Sequence, residues 1–303
     1  MLKKIITFEL MLMAFSITLF AQRENISLDG QWNFSIDSVK EGISGEWFKN
    51  GLPAAKEMVT VPHTWNVKKE TARYWGWAWY QRNMEVPKSW KGKTIRLQFN
   101  AVYHDASVWV NGVKIGEHKG AGFTKFFIDA TKYIKAGERN SITVLADNSF
   151  STTNIPYSNS FDWPNDGGII RSVSMLATNP VYIHQVQVNA KPDFTNAAKP
   201  KGMTAIKIII PGLEKLDKKK LACNITVTEE NQPTANTIYN GTPAVTFQEN
   251  NLLCQLNFDS IHLWHFDNPN LYKINVTLRY KNKMTDSFSV NTGFREFKVV
   301  GDA

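Results

Sequence analysis

Residues 106–115 read Ala106-Ser107-Val108-Trp109-Val110-Asn111-Gly112-Val113-Lys114-Ile115, and the fold class turns on this stretch. Two runs of β-branched and aromatic residues flank an Asn-Gly pair, the residues that most readily adopt the positive φ needed at both centres of a type I′ turn. That spacing predicts an antiparallel hairpin. The same texture extends in both directions. Thr94–Phe99, Ser141–Ala146, Val181–Val188, Ala205–Ile210, Asn224–Thr228 and Ile274–Tyr280 are short, rich in Val, Ile, Thr and aromatics, and often alternate in polarity. Gly120, Gly122, Gly137, Pro211-Gly212 and Asn240-Gly241 are expected to punctuate the connections. No long stretch has a helical period, and strands do not alternate with helices. A parallel α/β sheet and a (β/α)8 barrel are therefore excluded, and the fold class is all-β.

A length of 303 residues suits two domains. Residues 1–21 read as a secretory signal peptide: Lys3 and Lys4 precede an apolar run from Leu10 to Phe20, and Ala21 offers a small residue for cleavage before Gln22. The run is too short to span a bilayer, so export to the periplasm or exterior is expected rather than membrane anchoring. A boundary falls near Thr178-Asn179-Pro180. Residues 22–179 contain nine of the ten Trp and have the size of a jelly-roll sandwich. Residues 180–303, richer in Lys and with Trp264 alone, have the strand rhythm of an immunoglobulin-like sandwich.

The net charge of +8 invites a test for nucleic-acid binding. The densest basic stretch, Lys215 with Lys218, Lys219 and Lys220, also holds Glu214 and Asp217, and it reads as a solvated loop or strand end rather than a binding patch. Cys223 and Cys254 make neither a disulfide framework nor a metal set. Each sits in an alternating apolar stretch, as two free core thiols would, although an exported protein could oxidise them if they faced each other. The sequons at Asn25, Asn224, Asn240 and Asn275 matter only in a eukaryotic secretory pathway.

Seven motifs, in one order, resemble the N-terminal part of family 2 glycoside hydrolases, most closely the β-galactosidase branch. They are Leu28-Asp29-Gly30-Gln31-Trp32-Asn33-Phe34; Val61-Pro62-His63-Thr64-Trp65-Asn66, with Thr64 in place of the usual Asp; Trp79-Tyr80-Gln81-Arg82; the Ala106–Gly112 hairpin; Asp166-Gly167-Gly168-Ile169-Ile170-Arg171; Leu263-Trp264 with Pro269-Asn270-Leu271-Tyr272; and Gly293-Phe294-Arg295-Glu296. The resemblance implies a sugar-binding jelly roll followed by an immunoglobulin-like sandwich. It also implies a catalytic barrel carrying an acid Glu and a nucleophilic Glu, and neither matches a position between Met1 and Ala303. Glu229-Glu230 cannot replace them: as strand neighbours they would face opposite ways, and they read as solvated turn residues.

No catalytic residue is therefore expected here, and no cofactor within these residues; Na+ or Mg2+ is implied only for a full-length enzyme. The resemblance places Asp162, in the loop from Tyr157 to Asp166, where β-galactosidases contact galactose and a sodium ion, with Asp166 as the competing position. Phe161 and Trp163 flank Asp162 and could shape the rim of the same pocket. The run Tyr74-Trp75-Gly76-Trp77-Ala78-Trp79-Tyr80 would put three Trp on one strand face, either as sandwich core or as a sugar platform, with Trp75 nearest the loop. His63 reads as a strand-end residue bonded to backbone. His262 and His265 read as polar neighbours of Trp264, with no carboxylate completing a metal set. The expected partners are a carbohydrate such as a β-galactoside, the catalytic barrel and possible further copies of the chain, but neither nucleic acid nor membrane. Three functions stay open: part of a glycosidase, a stand-alone carbohydrate-binding protein, or a structural sandwich pair.

Overall fold

The computed structural model describes residues 23–299 and 301, except 55, 153–154, 156, 159–163, 197 and 231–235. The proposed signal peptide and Phe161, Asp162 and Trp163 thus lie outside the described residues.

The first sandwich pairs a six-stranded and a four-stranded antiparallel sheet. Its strands are β1 (Glu24–Ser27), β2 (Gly30–Asp37), β3 (Glu57–Val61), β4 (Trp77–Glu85) and β5 (Thr94–Phe99). They continue as β6 (Asp105–Val110), β7 (Val113–His118), β8 (Phe126–Asp129), β9 (Arg139–Asp147) and β10 (Val173–Thr178). The sheet orders are β3-β2-β4-β9-β6-β7 and β1-β10-β5-β8. The crossovers from one sheet to the other make this the expected jelly roll. Its core holds Trp32, Phe34, Trp65, Trp90, Leu97 and Phe99, all buried between the sheets.

The second sandwich has β11 (Gln185–Asp193), β12 (Lys201–Ile209), β13 (Leu221–Glu229) and β14 (Asn236–Gly241). It is completed by β15 (Thr246–Gln248), β16 (Asn251–Phe258), β17 (Tyr272–Tyr280) and β18 (Lys283–Thr292). Orders β11-β12-β16-β15 and β14-β13-β17-β18 give an immunoglobulin-like pair of sheets. Here alternation translates directly into burial: Cys223, Ile225 and Val227 point inward from β13, as do Ile274, Val276 and Leu278 from β17. Cys223 and Cys254 are free and buried in this core. Burial, with the neighbouring Cys254 adding to it, raises the Cys223 thiol to about 12, and burial raises Cys254 to about 11, so neither is a ready thiolate.

The hairpin at Asn111-Gly112 forms as expected, with φ of 50° and 80°. Four other expectations need correction. Asn240-Gly241 is not a turn but the end of β14, where Asn240 Oδ1 accepts from Asn224 Nδ2 at 3.0 Å; its cross-strand partner on β13 removes the need for a positive φ. Val181–Val188 becomes a strand only from Gln185, because Ile183 N donates to Asp286 at the junction between the sandwiches. The three-Trp stripe is only two. Trp77 and Trp79 lie on β4, but on the outer face of the six-stranded sheet rather than in the main core. There Trp79 packs with Trp47 of the short helix α1 (Trp47–Asn50), and its Nε1 donates to Asp37 at 2.9 Å. Glu229 is buried, not solvated. Its oxygens accept from His262 Nδ1 at 2.9 Å, Asn236 Nδ2 at 2.8 Å and the Tyr272 hydroxyl at 3.3 Å. Burial pushes its carboxyl up, but these bonds outweigh it and hold it below its ordinary range.

The basic stretch behaves as expected. Lys218–Lys220 is an exposed 3-10 turn capped by Asp217, which accepts from Lys219 N at 3.1 Å.

Candidate functional site

The loop between β9 and β10 carries three of the four predicted sugar contacts, Phe161, Asp162 and Trp163, and both of its ends are anchored by a knot of buried amides. Asn148, at the end of β9, is fully buried. Its Oδ1 accepts from Gly76 N at 2.8 Å, and its Nδ2 donates to the Asn165 carbonyl at 2.6 Å and to Asn66 Oδ1 at 3.4 Å. Asn165 Nδ2 donates back to the Asn148 carbonyl at 2.6 Å, which clamps the outgoing and returning chain together. Asn66 also accepts from Gly167 N at 2.8 Å and donates to the carbonyls of Thr71 and Tyr74, both at 3.1 Å. Three loops are thereby tied to one point. A primary amide suits the task because it offers both donors and acceptors in one plane.

The glycines beside this knot are there for space. A Cβ on Gly167 would lie 2.1 Å from Trp65 Cζ2. On Gly168, with φ of +143°, it would lie 2.3 Å from the His63 carbonyl oxygen. Close approach here lets Gly168 and Tyr103 exchange backbone hydrogen bonds of 2.8 and 2.9 Å, joining the loop to the start of β6.

His63 is held from both ends. Its backbone N–H donates to Ile169 O at 2.8 Å, and its ring Nδ1 lies 2.8 Å from the Tyr80 hydroxyl. Burial lowers the ring to about 4 and raises the Tyr80 hydroxyl well above its ordinary value. A neutral imidazole and a neutral phenol therefore share this hydrogen bond. The expectation of a backbone-bonded His63 covers its main chain only; the ring's partner is Tyr80.

Of the predicted sugar contacts, Phe161, Asp162 and Trp163 lie outside the described residues. Trp75 is half-buried just before β4, its ring 5.0 Å from that of Phe150 across the loop base. Asp166 is half-buried beside the amide knot, and desolvation raises its carboxyl. The knot residues Asn66, Asn148 and Asn165 escaped sequence reading. Only Asn66 lay in a quoted motif, and nothing local pairs it with Asn148. Among the described residues no group of three or more His, Cys, Asp and Glu could hold a metal. His262 does have a carboxylate partner in Glu229, and His265 has one in Asp267 at 3.4 Å, but each is only a pair. Glu229, saturated by three donors and ionised, does not offer the free acid that glycoside cleavage requires.

Comparison with known proteins agrees with this architecture. The model for "Glycosyl hydrolases family 2, sugar binding domain" matches residues 26–180, and that for "Glycosyl hydrolases family 2" matches 181–295. A β-glucuronidase from Bacteroides fragilis is 27% identical over 308 residues, which covers 97% of this chain and 41% of that protein. A β-galactosidase from Thermoanaerobacter pseudethanolicus is 30% identical over 260 residues, covering 83% of this chain and 32% of that protein. A β-glucuronidase from Ruminococcus gnavus, solved in complex with D-glucaro-d-lactam, superposes with a TM-score of 0.77 over 92% of this chain and 47% of that one, at 23% identity. The chain thus spans under half the length of these relatives. Two consecutive family matches on two consecutive sandwiches, with the motifs in order, place this chain in glycosyl hydrolases family 2.

Proposed function

We propose that this chain is the non-catalytic N-terminal part of a family 2 β-glycosidase, shaping one side of an active site whose acid and nucleophile lie outside these residues. One observation carries the reading: the loop between β9 and β10 is clamped at both ends by buried amides. Such bonds fix both ends of the loop, which is what a substrate-positioning segment requires. Asp162, with its sequence neighbours Phe161 and Trp163, is the proposed sugar contact of that loop and, by resemblance, a ligand for a hard cation.

The motifs favour a β-galactoside as substrate. The relative named a β-glucuronidase covers more of this chain than the one named a β-galactosidase, so a terminal β-glucuronide stands beside it. Residues 1–21 are proposed to direct export, in which case mass spectrometry of secreted material finds Gln22 at the N-terminus.

Sequencing the source genome past codon 303 tests the functional reading. An open frame continuing into alternating strands and helices that carry two strand-end glutamates is expected. A stop codon directly after Ala303 would overturn it in favour of a stand-alone carbohydrate-binding protein.

A further inference from the structure

A cleft of about 570 Å³ opens on the outer face of the six-stranded sheet. Strand register explains how it is built. Trp77 on β4 pairs with Asp147 on β9, and Asp147 pairs in turn with Asp105 on β6. One row across the sheet is therefore Trp77, Asp147, Asp105. The next outward-facing row is Trp79, Leu145, Ser107 and Glu117. Adjacent strands lie about 4.8 Å apart, so the first row sets an indole and a carboxylate roughly 10 Å apart, with a second carboxylate between them.

The aromatic wall is rigid. Trp77 Nε1 donates to Asp147 Oδ2 at 2.9 Å, which fixes the indole. Phe48 stacks on the buried Trp109 at 5.3 Å and 12°, and Trp109 in turn contacts Trp79. Trp77 and Phe48 remain partly exposed and present ring surface to the cleft. The polar wall has spare capacity. Asp105 Oδ1 serves the N–H of Gly120 and the ring of His104, whereas Oδ2 accepts no hydrogen bond from the described residues, and nor does Ser107 Oγ. Like charges directly opposite on neighbouring strands are destabilising, so the Asp105–Asp147 pair is costly to the fold itself.

We propose that this cleft is a second carbohydrate site, taking a pyranose unit of a neutral oligosaccharide. A pyranose has an apolar C–H face for Trp77 and Phe48 and a rim of hydroxyls that can donate to Asp105 and Asp147. The volume lies in the range of small-molecule sites. Three carboxylates against two lysines line the cleft, which disfavours a uronate. On the reading of this chain as part of a glycosidase, such a site would hold a longer glycan on the sheet face.

Calorimetric titration of the full chain with cellotetraose, xylotetraose, mannotetraose and β-1,4-galactotetraose tests this, with trigalacturonate as the charged comparator. At least one neutral tetraose should bind. Trp77→Ala and Ser107→Arg should each weaken that binding by about tenfold or more, and trigalacturonate should bind about tenfold more weakly than the best neutral sugar. Ser107 faces outward, so Ser107→Arg fills the cleft without entering the core, and an unchanged melting temperature checks that. Any of three results would overturn the site: no binding by any of the four neutral sugars, unchanged affinity in Ser107→Arg, or trigalacturonate binding as tightly as the neutral sugars. None of them bears on where the catalytic residues lie.

Discussion

His63 shows how a single residue ties stability to pH. In the unfolded chain its imidazole titrates near its ordinary 6.5, whereas in the fold burial lowers it to about 4. Between those values the unfolded state binds a proton that the native state refuses. The contribution of His63 to stability is therefore complete above pH 6.5 and is lost as pH falls towards 4. Partial solvent screening keeps the effect to about 1–2 kcal/mol. Urea midpoints measured from pH 7.5 to 4.5 should fall more steeply for the natural protein than for His63→Gln; parallel profiles would place the titrating group elsewhere. Gly168→Ala is expected to cost about 3 kcal/mol or more, since its Cβ would meet the His63 carbonyl at 2.3 Å in a backbone conformation that side chains avoid. Thermal melts should show it as a drop well beyond that of an exposed glycine such as Gly92. The motif around His63 pointed to a local structural role, but Tyr80 as partner was hidden, because a side-chain contact 17 residues away on another element leaves no trace in spacing along the chain.

At the level of elements, turns with their own chemistry were legible and those overridden by neighbours were not. Asn111-Gly112 needs nothing beyond its own backbone preference, and it forms the hairpin. Asn240-Gly241 carries the same signal, yet pairing with β13 extends it as strand. The Trp run was legible as alternation but not as to which face is buried, since α1 covers an outer face that a two-sheet reading leaves in water. Glu229 looked like a turn residue because its donors come from positions as far as Tyr272. The amide knot makes the sharpest prediction at this scale. Asn148→Asp keeps the acceptor for Gly76 N but sets a carboxylate against the Asn165 carbonyl and loses the donor. A loss of about 2–4 kcal/mol is expected, with cleavage by trypsin or chymotrypsin in the loop between β9 and β10 preceding global unfolding. Equal stability, or proteolysis elsewhere first, would show that the loop is held by other contacts.

For the whole molecule, strand rhythm and the confinement of Trp to the first part made two sandwiches legible. The way they are joined was not, because its main contact links residues 263 positions apart. Arg23 makes a two-pronged pair with Asp286, at 2.8 and 2.6 Å, also bonds the Ile183 carbonyl, and lies over the Phe288 ring at 4.7 Å. Beside it the buried Arg96 guanidinium rests on the Tyr182 ring at 4.1 Å, with Nη1 3.3 Å from His184 Nδ1. Among the described residues, Arg23→Met leaves Asp286 with only the N–H groups of Ile183 and Ser287 as donors. It should cost about 2 kcal/mol and split a single calorimetric transition towards two as the sandwiches uncouple. A single unshifted transition would mean that the junction is held mainly by Arg96. The central claim, that this chain positions sugar but does not cleave it, is tested most directly by hydrolysis of 4-nitrophenyl β-D-galactoside and β-D-glucuronide with the purified chain. Nitrophenol release no faster than in buffer is the result expected; turnover that survives repurification and vanishes when an Asp or Glu of this chain is replaced would contradict it.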